Sequence, residues 1–186
     1  LSDPNIVNIT ISESTDRVKE LIEWGVDFDK TSSGKYDLAK EGGHSEFRVL
    51  HHKDATGLEI QDKLYLAAKK HPNITILENH FAIEIITQHH LGEIVTKRTP
   101  EVYCYGAYVL NPTSKKIDTI LSKTTMLSTG GAGHVYSNTT NPKVSTGDGI
   151  AMVYRAKGHV RGMEFVQFHP TALYNPHEKP SFLITE

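Results

Sequence analysis

Two glycine turns close to one another, late in the chain, constrain the fold more than any other feature. Ser128-Thr129-Gly130-Gly131-Ala132-Gly133 follows the β-rich run from Ile117 to Leu127, and Thr146-Gly147-Asp148-Gly149 precedes the apolar run Ile150 to Ala156. The first arrangement ends a strand in a turn where backbone can approach a ligand closely. The second opens a helix whose first amides lack intrahelical acceptors and are free to bind an anion or a hydroxyl. Spacing alone leaves a plainer alternative open: glycine turns close strands, and aspartate is an ordinary residue at a helix start.

Beyond the second turn the sequence runs Glu164-Phe165-Val166-Gln167-Phe168-His169-Pro170-Thr171. A strand here would present Phe165, Gln167 and His169 on one face. A lone histidine in such a run is more often a hydrogen-bonded structural residue than a ligand-binding one. The closing Leu183-Ile184-Thr185-Glu186 is, by itself, a solvated or capping pair after two apolar residues.

Taken in order, TGGAGHVY, TTNP, GDGIAM, EFVQFHPTALY and LITE resemble the flavoprotein family of L-aspartate oxidases and the flavoprotein subunits of succinate dehydrogenase and fumarate reductase. Upstream, Glu41-Gly42-Gly43-His44-Ser45 and Asp54-Ala55-Thr56-Gly57 are more similar to the aspartate oxidases than to the dicarboxylate dehydrogenases. The resemblance covers nearly the whole chain. It implies an α/β (α+β) fold: part of a Rossmann-like FAD-binding domain with an inserted β-meander, running into the start of a capping domain. Residues 1–162 would belong to the first and 163–186 to the second.

The same resemblance implies the chemistry. FAD, held non-covalently, would accept a hydride from L-aspartate to give iminoaspartate, with dioxygen or fumarate as final acceptor, in the first step of de novo NAD biosynthesis. Quinolinate synthase, acting downstream, is the implied partner. Asp148 would lie against the flavin, with Gly130 and Gly131 allowing close backbone approach on the same side. His169 would donate to one substrate carboxylate with Gln167 beside it. Thr185 would serve the other carboxylate, and Glu186 would lie on the proton route to an arginine that is not among these residues. Glu41 would face the substrate ammonium, a group that succinate lacks, with His44 and Ser45 ordering its loop. Thr139, Thr140 and Asn141 either order the loop between the two glycine turns or form a plain turn before Pro142. Two rival readings are a succinate dehydrogenase or fumarate reductase flavoprotein and a non-catalytic scaffold that keeps the fold.

Composition narrows the class. The 186 residues fit about one domain, and no Gly-x-Gly-x-x-Gly phosphate fingerprint occurs among them. With Leu1 as first residue and Glu186 falling inside a motif, the chain reads as a piece of a longer enzyme that by itself is inactive. Twenty basic and 22 acidic residues give a formal charge of −2 without a Lys/Arg run, which points away from nucleic acid and from anionic membranes. No segment approaches the roughly 18 consecutive apolar residues of a membrane span, so a cytoplasmic location is expected. The one cysteine, Cys104, is expected to be a buried core thiol, without an intrachain disulfide. Eleven histidines include the pairs His51-His52 and His89-His90, but none has the HExxH spacing, and no metal site is expected.

Local patterns predict the elements. Val18, Leu21 and Ile22 share a helical face after Ser14 or Thr15, with Gly25 as the stop. Lys30 to Gly43 reads as a loop. Thr56-Gly57-Leu58-Glu59 reads as a capping box for a helix that turns Ile60, Leu64, Ala67 and Ala68 inward and ends at His71-Pro72. Strands are expected at Ile74–Leu77, Phe81–Thr87, Val102–Leu110 and Ile117–Leu127, with a turn at Asn111-Pro112-Thr113-Ser114.

Overall fold

The computed structural model describes residues 2–169, 171–175, 177 and 180–185, the last of these by its backbone. Its contacts divide the chain into two compact units, Leu1–Ile76 and Leu77–Glu186.

In the first unit, helix α1 spans Pro4–Glu23, well ahead of the predicted start. Asp3 caps it by accepting from the Asn5 amide at 2.8 Å, and Pro4 takes the first-turn position that needs no donor. Ser14 is therefore not a cap. Its hydroxyl donates to the Ile11 carbonyl at 2.8 Å, as Thr10 and Ser12 donate to carbonyls of their own preceding turns. Gly25, at φ 100°, ends the helix and turns the chain into Val26 and Phe28, each 4% exposed and the buried apolar centre of this unit.

Strands β1 (Leu38–Ala39) and β2 (Val49–Leu50) pair antiparallel, Leu38 opposite Leu50 and Ala39 opposite Val49. The expected loop from Lys30 to Gly43 thus contains structure: Lys30 bridges to Tyr36, and β1 follows. Helix α2 spans Thr56–Lys70 and stops at His71 as predicted, with Ala55 as its cap residue. The capping box does not form. Thr56 Oγ1 accepts from the His52 amide at 3.1 Å and Glu59 Oε1 from the Asp27 amide at 3.0 Å, so both side chains satisfy donors outside the helix.

The second unit is built on the expected meander. Strands β3 (Phe81–Thr87), β4 (Cys104–Asn111) and β5 (Lys116–Leu121) form an antiparallel sheet in that order. Asn111 closes the β4–β5 turn, its Oδ1 accepting from the Thr113 and Ser114 amides. Helix α3 (Asp148–Arg155) packs on β3. Its Met152 is 1% exposed, and with Ile85, Ile86, Val95 and Val109 it makes up the buried apolar set among the described residues of this unit. Arg155 ties the helix end to the sheet by bonding Glu84 Oε2 and the Ile83 carbonyl. Buried Gln88 has a partner at each end of its amide, donating to the Glu101 carbonyl at 3.0 Å and accepting from the Tyr103 amide at 2.8 Å.

Three predicted strands change. Ile74 to Leu77 forms none, β5 stops at Leu121, and residues 165–169 are not in a strand, so the shared face expected for Phe165, Gln167 and His169 is absent. The backbone bonds of these segments are isolated ones, from the Ile74 amide to the His71 carbonyl, the Ser122 amide to the Tyr105 carbonyl and the Phe165 amide to the Gly162 carbonyl, and apolar composition alone does not make a strand. The last sheet is instead β6 (Thr171–Ala172) with β7 (Leu183–Thr185). Cys104 is half-buried rather than buried, with Sγ 3.5 Å from the Gly106 carbonyl.

Candidate functional site

The two glycine turns are neighbours. Gly147, at φ 78° just before α3, donates its amide to the Gly131 carbonyl at 3.1 Å, while His134 donates its amide to the Ser145 carbonyl at 2.9 Å. A Cβ on Gly147 would sit 3.1 Å from that of Ala132, and one on Gly149 would collide with Thr129 Oγ1 and lie 3.1 Å from Thr129 Cβ. Gly149 is therefore small so that the first turn of α3 can lie directly on the first glycine turn at Thr129. The intervening TTNP segment joins the same cluster, since a Cβ on Gly133 would be 2.5 Å from Asn141 Oδ1.

The other side of the first turn is open. Gly130, at φ 72°, and Gly131 have no atom within 4 Å of where a Cβ would stand. Asp148 is half-buried in the first turn of α3 and accepts from Thr146 Oγ1 at 2.9 Å, which fixes its carboxylate. An acceptor at this position suits a ligand hydroxyl better than a phosphate, and the amides of the α3 start add donors beside it. His134 Nε2 is buried without a hydrogen-bond partner, a polar atom that motif reading did not single out. Exposed glycine backbone, the bonded carboxylate of Asp148 and the free amides of the α3 start could cradle the polar chain of a cofactor.

The downstream motifs join this scaffold through the backbone. Thr171 pairs with Thr185 across β6 and β7, and the Leu173 amide donates to the Phe182 carbonyl at 2.8 Å. This pairing places Thr171, two residues after His169, opposite the last residue of the LITE strand. The Ser181 amide then donates to the Thr139 carbonyl at 2.8 Å, linking the hairpin to the loop between the glycine turns. The Phe168 ring meets Tyr136 edge-on at 5.3 Å between centroids, while Gln167 and His169 are exposed. The side chain of Thr185 and all of Glu186 lie outside the described residues.

Glu41 belongs to the other unit. It is exposed, in the loop between β1 and β2, where the His44 amide donates to the Glu41 carbonyl at 3.1 Å around Gly43 at φ 79°. His44 Nδ1 is buried without a hydrogen-bond partner. Among the described residues no group of three or more His, Cys, Asp or Glu could hold a metal ion, and no helix is long and apolar enough to cross a membrane.

The family model described as FAD binding domain matches residues 1–186. An L-aspartate oxidase 2-a, chloroplastic, of Nicotiana tabacum is 43% identical over the full length of this chain, which covers 29% of that protein. An L-aspartate oxidase of Vibrio cholerae is 44% identical, again over the whole chain and 34% of the relative. A solved quinol-fumarate reductase with menaquinol molecules superposes with a TM-score of 0.83 at 26% identity, over 98% of this chain and 29% of that one. The chain thus spans about a third or less of the relatives it matches.

Proposed function

The chain belongs to the FAD binding domain family, and from that premise we propose that it is the part of an FAD-dependent L-aspartate oxidase that joins the cofactor cradle to the substrate hairpin. The observation that carries this reading is the backbone continuity from Gly131 and Gly147 at the cradle to Thr139, Ser181 and the Thr171–Thr185 pair. The relatives at 43% and 44% identity support aspartate over succinate as the substrate.

On this reading FAD, when bound, supplies the electron-pair acceptor and passes the electrons on to dioxygen or fumarate. The chain's own residues bind and orient. Gly130 and Gly131 let backbone come against the cofactor, and Asp148 accepts from one of its hydroxyls. The cofactor is held non-covalently on this reading, as the resemblance to the aspartate oxidases implies. His169 donates to one carboxylate of L-aspartate with Gln167 beside it, and Thr185 donates to the other. Glu41 meets the ammonium, and Glu186 lies on the route by which the proton leaves. Holding three charged groups at fixed points leaves the α-carbon hydrogen facing the acceptor, so the protein contributes orientation and electrostatics. Residues 1–162 then form part of the cofactor domain and 163–186 open the capping domain.

The product would be iminoaspartate, handed to quinolinate synthase in NAD biosynthesis. The reading places the enzyme in the cytoplasm, whereas the tobacco relative is named chloroplastic. The quinol-fumarate reductase likeness favours a second reading as a dicarboxylate dehydrogenase flavoprotein. Assays of the full-length protein with L-aspartate and with succinate separate the two, and an anaerobic assay with fumarate identifies the acceptor. Turnover of succinate without turnover of aspartate would overturn the first reading.

A further inference from the structure

The loop that carries Glu41 hangs from a very small hairpin, because β1 and β2 have two residues each. So short an antiparallel pair holds its register weakly without outside support. Its far end is closed by the Arg48 amide on the Ala39 carbonyl at 3.1 Å and by Lys40 Nζ 5.9 Å from the centre of the Phe47 ring. Its base needs an anchor as well.

His51 stands at that base, directly after Leu50 of β2, and faces two carboxylates at once. Its Nδ1 lies 3.3 Å from Asp29 Oδ2 and its Nε2 lies 3.9 Å from Asp37 Oδ2. Asp37 directly precedes Leu38 of β1, so the imidazole spans the two strands just below their first pair. Asp29 is fixed from several sides. Its amide donates to the His51 carbonyl at 2.9 Å, its carbonyl accepts from the Asp37 amide at 2.9 Å, and its Oδ2 accepts from the Lys53 amide at 2.7 Å. The neighbouring His52 adds Nδ1 3.6 Å from Asp29 Oδ1 and 2.6 Å from the Asp27 carbonyl. With 25% of the His51 side chain and 30% of that of Asp29 exposed, the contact is partly shielded from water. A neutral imidazole has one N–H and serves one carboxylate, whereas the imidazolium serves both.

We propose that His51 is a positioning residue for the substrate loop: by joining Asp29 to Asp37 it sets the register of the hairpin and with it the place of Glu41. The inference rests on the reading of Glu41 as the partner of the substrate ammonium. It gives the His51-His52 pair a task other than metal binding.

The test uses the full-length protein with bound FAD. In His51→Ala, amides of residues 40–47 should exchange with deuterium about tenfold faster, and KM for L-aspartate should rise about tenfold while kcat changes less. Asp37→Asn keeps the ring and removes one charge, so it should shift both readouts in the same direction by a smaller factor, and it decides the matter if His51→Ala does not fold. In a Glu41→Gln background His51→Ala should add less than about twofold to KM, because the two changes act through one contact. Unchanged exchange at 40–47 in folded variants would overturn the proposal, as would losses that multiply fully in the double variant. If Glu41→Gln alone leaves aspartate kinetics untouched, the Glu41 reading fails instead, and faster exchange at 40–47 would still uphold His51 as the anchor of the loop.

Discussion

Gly149 rests against Thr129 so closely that a Cβ on the glycine would collide with the threonine hydroxyl and come within 3.1 Å of its Cβ. Threonine is β-branched and has few rotamers with which to yield. Gly149→Ala should therefore push the start of α3 away from the first glycine turn, at a cost of about 1–3 kcal/mol. In the full-length protein this should lower the urea midpoint and the flavin content together, and Thr129→Ala introduced alongside should restore part of both. An unaltered midpoint in Gly149→Ala would mean that the two elements are not in close contact.

His169→Ala in the full-length enzyme should weaken L-aspartate and fumarate alike, since both present a carboxylate to this donor. Loss of a charge-assisted hydrogen bond is worth about 1.5–3 kcal/mol, or roughly tenfold to a hundredfold in kcat/KM. Steady-state kinetics with both substrates check it. Unchanged values with both would return His169 to a structural role.

Glu41→Gln keeps size and hydrogen-bonding capacity but removes the negative charge. Aspartate oxidation should fall by about 1–3 kcal/mol in kcat/KM, with a much smaller change for fumarate, which brings no ammonium. Flavin absorbance of the purified variant controls for folding. Parallel losses with flavin fully bound would remove Glu41 from its assigned role.

Glu59 gives a pH dependence. The backbone bond from the Asp27 amide, with Lys63 and His52 nearby, holds its carboxyl below the ordinary glutamate value against the opposing effect of burial. A depressed folded-state value means stability that is fully present above the unfolded-state value and is lost as pH falls through the folded one. Glu59→Gln should therefore lower the urea midpoint near neutrality, and the gap to the parent should close on acidification. A gap that stays constant between about pH 7 and pH 3 would show that the charge contributes nothing.

What could be read from the sequence was local. The β3–β4–β5 meander, the end of α2 at His71 and the two glycine turns each announce themselves through periodicity or through a residue with special backbone freedom. The misses involve partners distant in sequence. Thr56 and Glu59 have the spacing of a capping box, yet they serve amides at His52 and Asp27. Ile74 to Leu77 has strand composition but, among the described residues, no strand beside it. Within the site, the order of the motifs pointed to cofactor and substrate, but neither the Gly147–Gly131 bond nor the Thr171–Thr185 pairing follows from spacing. His51, Asp29 and Asp37 met only once the hairpin was folded.

The bond from the Gly147 amide to the Gly131 carbonyl contains no side-chain atom. Mutational drift at the side chains around it can alter the polarity and shape of the cradle without cutting the link that holds its two halves in register. The chemistry of the site is thus free to diversify by substitution at positions such as Ala132 and Thr146, while its spacing is inherited through the main chain.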